Sequence, residues 1–147
     1  MIKQQSIPTK SPAFDPEDYK YKQRQQWNHV ATGWQRWWPV FERGAHPMSR
    51  RLVEKAHIQP GQRVLDIATG IGEPALTAAD YVGPSGQVVA TDQAQQMMNV
   101  AQERANTLGF KNVSFVEMDA ESLELSDGPF DAILSRWGLM FLPNLNS

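Results

Sequence analysis

The sequence contains no cysteine. That excludes disulfides, Cys-ligated zinc, iron–sulfur clusters and a thiol nucleophile, and it agrees with a reducing compartment. The only histidines, His29, His46 and His57, fall into no ligand spacing such as HxxxH, so no metal site is expected. No segment reaches the roughly 18 apolar residues of a membrane helix, and the polar start, residues 1–10, has no signal-peptide core. These absences predict a cytoplasmic protein without a membrane span. Strong charge of one sign is missing too: the net charge is −2 over 147 residues.

The charge is nevertheless uneven. Residues 1–60 hold ten Lys/Arg against five Asp/Glu, and residues 61–147 hold four against eleven. The basic residues are scattered and form no stripe, so they read as a solvated surface and nucleic-acid binding is not expected. The length is that of one domain with a core of reasonable size.

Residues 1–18 carry Pro8, Pro12 and Pro16 among polar neighbours and read as a flexible arm. In 19–38, Trp27, Val30, Ala31, Trp34, Trp37 and Trp38 recur at steps of three and four, the face of one helix. Pro39 to Pro47 reads as a break, 48–57 as a short helix, and Gln59-Pro60-Gly61 as a turn. Strands are then expected at 63–68, 87–91, 113–116 and 130–134, with helices at 74–81 and 94–108 and Gly109 as a stop signal. Apolar runs alternating with helices predict parallel strands covered on both faces, in an open doubly wound α/β sheet. Ligands of such sheets bind beyond the carboxyl ends of the strands, where the winding reverses.

The most informative segment is Val64-Leu65-Asp66-Ile67-Ala68-Thr69-Gly70-Ile71-Gly72-Glu73-Pro74. It is a buried-strand pattern ending in a glycine turn, with Pro74 suited to a first helical position. Gly70 to Ala75 fits G-x-G-x-x-A, and Asp92 lies 20 residues past Gly72, where a ribose-binding acid belongs. Spacing does not separate NAD from S-adenosylmethionine. The flanking acids Asp66 and Glu73 do: they oppose a pyrophosphate and suit a cofactor bearing a sulfonium and an ammonium.

Asp92, with Gln93 beside it, ends the second expected strand, where its two oxygens suit both ribose hydroxyls and also suit capping the next helix. Of Met97 and Met98, core packing is the first expectation, and one is placed against the adenine. Asp119 follows the third strand. Its carboxylate suits an adenine amino group while the Ala120 amide donates to a ring nitrogen, although a loop aspartate also forms turns. Ser135 and Arg136 end the fourth strand, opposite the first across the switch point, at the methionine end of such a cofactor, although Arg136 equally suits pairing with an exposed acid.

Together these motifs resemble the class I S-adenosylmethionine-dependent methyltransferases, in their ubiquinone/menaquinone-biosynthesis-like branch. The likeness spans about 27–144 and rests on Val64 to Gly72, Val89-Ala90-Thr91-Asp92, Met118-Asp119-Ala120 and Phe130 to Leu142. It implies a Rossmann-like domain in which Asp66 and the turn at Ala68, Gly70 and Gly72 hold the amino-acid part of the cofactor. It further implies that Asp92 holds the ribose, that Asp119 with Ala120 reads the adenine, and that the segment around Trp27 and Trp34 forms a lid. Ala68 stands where the family usually has its first glycine. The family's domain continues through three further strands, so the chain reads as truncated after strand four. The expected division is a flexible arm (1–18), a helical lid (19–58) and the N-terminal part of the cofactor-binding domain (59–147).

The expected reaction is methyl transfer to a small-molecule acceptor by in-line displacement, which depends on positioning and names no catalytic residue. His29 is the one nearby base, with packing in the lid its expected role. The alternatives are an NAD-dependent oxidoreductase and a non-catalytic module that pairs with another subunit. An open fourth strand beside Leu139 to Leu142 also predicts that the chain alone either self-associates, through the sheet edge or by exchange of a terminal element, or binds cofactor weakly without methyl transfer.

Overall fold

The structure is a computed structural model and describes residues 13–125 and 128–144. Residues 1–12, most of the expected arm, lie outside the described residues. The rest of that arm is ordered into the first helix: α1 spans Pro16–Lys55 and starts at Pro16, with the Asp15 carboxylate accepting from the amides of Glu17 (3.0 Å) and Asp18 (3.4 Å).

The expected break between Pro39 and Pro47 is absent, because α1 runs through both prolines for 40 residues, about 60 Å. Both prolines are exposed, as are Gln35 and Arg43 four residues before them, so water can satisfy the carbonyls the prolines leave unbonded. The opposite face is buried at Ala31, Ala45, Ser49 and Val53, and that packing keeps the helix continuous through the breakers.

The remaining elements are β1 (Arg63–Ile67), α2 (Ala75–Val82), β2 (Gln87–Asp92), α3 (Gln95–Leu108), β3 (Val113–Glu117), β4 (Ala132–Leu134) and a 3-10 turn (Leu139–Phe141). Each expected strand is present within two residues at either end. Pro74 sits one position before α2 instead of opening it, because Gly72 and Glu73 already donate to Thr69 O and the turn closes before the helix begins.

The four strands are all parallel, in the order β3-β2-β1-β4. The winding therefore reverses at β1, and the carboxyl ends of β1, β2 and β4 meet on one edge. The inner strands β1 and β2 are buried almost throughout, while β3 is half-buried and Ile133 of β4 is 62% exposed. Full cover on both faces thus holds for the inner strands only.

Two apolar clusters hold the molecule. The larger joins Val53 of α1 to Val64, Ala78, Val82, Val88 and Leu134. The smaller joins Ala31 of α1 to Ile71, Ala94, Met97 and Val100, with Trp27, Trp34 and Trp38 against it. Asn28 Oδ1 also accepts from the Gln96 amide in the first turn of α3 (2.8 Å), and Gln35 donates to Glu103 (2.8 Å). The long helix is thereby fixed across the carboxyl edge of the sheet.

Candidate functional site

Under α1, the strand ends enclose a cavity. Its walls include the turn Ala68, Thr69, Gly70, Ile71 and Glu73, then Asp92, Gln93 and Met97, then Met118, Asp119 and Ala120. Arg136, Trp137, Gly138, Phe141 and Leu142 close the β4 side, and Lys20, Trp27, Trp34 and Trp38 form the roof.

The turn is built around two backbone conformations. Gly70 has φ 57°, and Gly72 has φ 101° with Leu76 and Ala101 carbons 3.1 to 3.2 Å from where a Cβ would stand. Glycine meets both demands, since the left-handed region penalises a side chain and the second site has no room for one. Ala68 adopts φ 58° despite its methyl group.

Asp66, at the carboxyl end of β1, is fully buried and does not reach the cavity wall. Its Oδ2 accepts from the Ala75 amide at 3.0 Å, so it fastens the start of α2 beneath the turn. Burial pushes its carboxyl up to about 7. Glu73 does face the cavity, but it is paired: Oε1 lies 3.3 Å from Arg104, whose guanidinium also bonds Ile71 O and stacks 3.7 Å over Trp38, and Oε2 accepts from Thr77 (2.6 Å). The two acids are therefore not bare charges aimed at a ligand. A pyrophosphate is disfavoured for a further reason. Pro74 has no amide, the Ala75 amide is taken by Asp66 and the Leu76 amide by Gly72 O, so the first donors of α2 are spent.

Asp92 lines the cavity and does two backbone tasks. Its Oδ2 accepts from Gly70 N (2.8 Å) and its Oδ1 from Ala94 N (2.9 Å), which ties β2 to the glycine turn and holds the residue before α3; the helix itself has no side-chain cap, so the expected capping role is not met. Burial pushes its carboxyl up, against those bonds. The carboxylate, with up to about four acceptor sites, keeps acceptor capacity beyond these backbone bonds. Met97 and Met98 are both buried, and Met97 alone of the two lines the cavity.

Asp119 forms a turn, with Oδ1 accepting from Glu121 N (2.9 Å), and its Oδ2 lies 2.8 Å from Lys20 Nζ. Arg136 reaches the cavity while donating to Ala45 O (3.2 Å) and Ser49 Oγ (2.7 Å) of α1. Gly72 and Ser135 stand behind the wall with Asp66. The structure thus brings together Ala68, Gly70, Asp92, Gln93, Met97, Asp119, Ala120 and Arg136, and sets Asp66, Gly72 and Ser135 one layer back.

Of the tryptophans expected on one face, Trp27, Trp34 and Trp38 roof the cavity and Trp37 turns away, 55% exposed. His29 is exposed and lines no cavity wall, so it is not packed in the lid. Lys20 was not anticipated. A signal for it exists, because 20, 27, 34 and 38 follow steps of seven, seven and four along one helix stripe.

Among the described residues no helix is long and apolar enough to cross a membrane, and no cluster of His, Asp and Glu could hold a metal ion.

The family model described as "Methyltransferase domain" matches residues 58–147. The ubiquinone/menaquinone biosynthesis C-methyltransferase of Ectopseudomonas oleovorans is 36% identical over 127 residues, 84% of this chain and 75% of that protein. Its counterpart in Legionella pneumophila (strain Paris) is 33% identical over 131 residues, 86% of this chain and 52% of that protein. The chain spans from 38% to 75% of the length of the curated relatives it matches. A SAM-dependent methyltransferase from Aquifex aeolicus superposes with a TM-score of 0.60 at 25% identity, over 89% of this chain and 61% of that one. A phosphoethanolamine N-methyltransferase from Haemonchus contortus, at 20% identity and TM-score 0.66 over 88% of this chain and 28% of its own, shares the fold. Parallel sheet, glycine turn and relatives agree, and the chain belongs to the class I S-adenosylmethionine-dependent methyltransferases of the ubiquinone/menaquinone-biosynthesis type.

Proposed function

We propose that this chain binds S-adenosylmethionine in the cavity beneath α1 and that the protein to which it belongs is an enzyme methylating a small-molecule acceptor. One observation carries the reading: the glycine turn, Asp92 and the Asp119–Ala120 loop, far apart in sequence, line a single cavity at the switch point of the sheet.

The residues present fit the cofactor. Thr69 Oγ1 is buried at the turn with no partner at full hydrogen-bond geometry, and Gly70, without a side chain, lets a ligand approach the turn closely. This end suits the charged amino-acid part. Asp92 keeps acceptor capacity for two ribose hydroxyls. Asp119 and the Ala120 amide suit the amino group and ring nitrogen of adenine, with Met97 as an apolar wall. Asp66 acts as a positioning residue that holds α2 and the turn.

When bound, S-adenosylmethionine supplies an electrophilic methyl group. The chain's own residues then hold and exclude: Trp27, Trp34 and Trp38 keep water from the cavity as a lid, and Arg136 is anchored beside the turn by its bonds to α1. Trp137, Phe141 and Leu142 give the remaining wall an apolar surface that suits a ring-bearing acceptor. The named relatives act in ubiquinone/menaquinone biosynthesis as C-methyltransferases, and a related small acceptor in the cytoplasm is the reading adopted for the whole protein.

Titration calorimetry of the chain with S-adenosylhomocysteine, and in parallel with NAD, tests the proposal. Saturable one-to-one binding of the first and none of the second is expected. Binding of NAD, or of neither, overturns it.

A further inference from the structure

The outward face of α1 has been given no task. Trp37, Val40, Phe41 and Met48 are 55%, 51%, 48% and 45% exposed. Trp37, Phe41 and Met48 follow steps of four and seven, so they share one stripe about 17 Å long, with Val40 at its side. Phe41 is braced by Trp34, ring centroids 4.7 Å apart, and Trp34 faces the cavity. An apolar stripe of this size on the exposed side of a helix marks an interaction surface.

The same stretch is basic. Arg36, Arg43, Arg50, Arg51 and Lys55 are all exposed, against Glu42 and Glu54. Glu42 is half-buried and bonded to His46, and Glu54 lies 3.5 Å from Arg50. Among the described residues no acid pairs with Arg36, Arg43, Arg51 or Lys55. The acidic excess of the chain lies after residue 60, in the α/β part. The molecule therefore carries a positive helix on one side and a negative body on the other, which turns α1 toward a negatively charged plane and the body away from it.

We propose that the outward face of α1, from Arg36 to Lys55, docks on the surface of an anionic lipid bilayer. The stripe lies on a single helix, with an indole, a phenyl ring and a thioether aligned, Arg51 and Lys55 beside them, and Arg36, Arg43 and Arg50 farther round the helix. A helix with aromatic and aliphatic side chains on one face and free arginines beside it sits in the headgroup layer, where the apolar groups sink in and the long basic stems reach back to phosphates. A nucleic-acid backbone would match the arginines and leave the apolar stripe wet. An acidic protein would need a complementary groove for the stripe, whereas a bilayer needs none. This surface adjoins the roof of the cofactor cavity through the contact of Phe41 with Trp34, and its test is run without cofactor.

The experiment is co-sedimentation of the 147-residue chain with vesicles of equal parts phosphatidylglycerol and phosphatidylcholine, and with vesicles of phosphatidylcholine alone. The parent is expected to sediment with the anionic vesicles at low salt, to be released as salt rises, and to stay in solution with the neutral ones. Each basic residue near such a surface is worth about fivefold in partition, so Arg51→Glu with Lys55→Glu lowers binding roughly 25-fold or more. Trp37→Ser with Met48→Ser lowers it about tenfold or more while preserving the salt dependence. All four positions are exposed, and an unchanged circular-dichroism melt confirms that the variants fold. No sedimentation with anionic vesicles, equal binding by the charge-reversed variant, or a dimer that Trp37→Ser dissociates would overturn the proposal. The last result would assign the face to a second copy of the chain.

Discussion

Lys20 Nζ lies 2.8 Å from Asp119 Oδ2, 2.8 Å from Glu17 and 3.2 Å from Glu121, so one ammonium fastens the start of α1 to the loop that follows β3. Burial alone would raise the Asp119 carboxyl, but the Lys20 bond and the Glu121 amide together hold it below the usual carboxylate range. The Lys20 ammonium is correspondingly pushed up, chiefly by Asp119. A carboxylate depressed in the folded state contributes stability above its ordinary value near 3.9, and that contribution is lost as pH falls through the folded value. Lys20→Met is therefore expected to free residues 16–26 to amide exchange and trypsin at neutral pH, at a cost of about 1 kcal/mol or less in global stability. Acidifying the parent below about pH 4 should produce the same local release. Unchanged exchange in the variant would show that the helix start is held by other contacts.

Asp66 predicts the opposite pH dependence. Its folded carboxyl stands near 7 because it is buried, so the folded state holds a proton that the unfolded chain releases near 3.9. Stability is then greatest below the unfolded value and declines as pH rises from about 4 to about 7, by a few kcal/mol in order of magnitude. Asp92 and Glu42 are raised by burial as well and add to the same trend. Asp66→Asn keeps an oxygen for the Ala75 amide and cannot ionise. Urea midpoints measured at pH 5 and pH 8 should fall across that interval in the parent and change distinctly less in the variant. Parallel pH profiles for the two proteins would contradict the assignment.

Ala68 and Gly138 are coupled across the switch point. A methyl group built on Gly138 would collide with Ala68 Cβ and stand 3.2 Å from Ser135 Oγ. Ala68 itself holds φ 58°, a left-handed conformation costing an alanine about 1 kcal/mol. Ala68→Gly is expected to stabilise the chain or leave it unchanged, and Gly138→Ala to destabilise it by about 1–3 kcal/mol through overpacking. In the double variant the clash partner is gone, so the two effects should be non-additive by about 1 kcal/mol or more. Strict additivity would mean that the two residues do not share the space.

What the sequence made legible follows from the physics of each element. Apolar runs between glycine turns located β1 to β3 within a residue at their ends, and the Gly70–Gly72 turn announced the cavity. The prolines of α1 misled, because a breaker acts only where its unbonded carbonyls cannot reach water, and exposure around Pro39 and Pro47 depends on tertiary packing. The direction of Asp66 was not legible either. An acid at the end of a strand can turn to a ligand or to the next helix, and the Ala75 amide claimed it. Lys20 and Trp38 share a stripe with Trp27 and Trp34, yet a lysine among tryptophans gains its meaning only once Asp119 is brought beside it.

The central claim is that three segments separated in sequence bind one S-adenosylmethionine. Amide exchange of the chain with and without saturating S-adenosylhomocysteine tests it most directly. The account predicts slowed exchange together in the turn 68–73, in 92–97 and in 118–121, with the roof around Trp27 and Trp34 following, and a joint weakening of that protection in Asp92→Ala at the ligand concentration that just saturates the parent, as its affinity falls by about 1–3 kcal/mol. Protection confined to other segments, such as the groove around 83–87 and 109–114, or protection undiminished in Asp92→Ala, would contradict it.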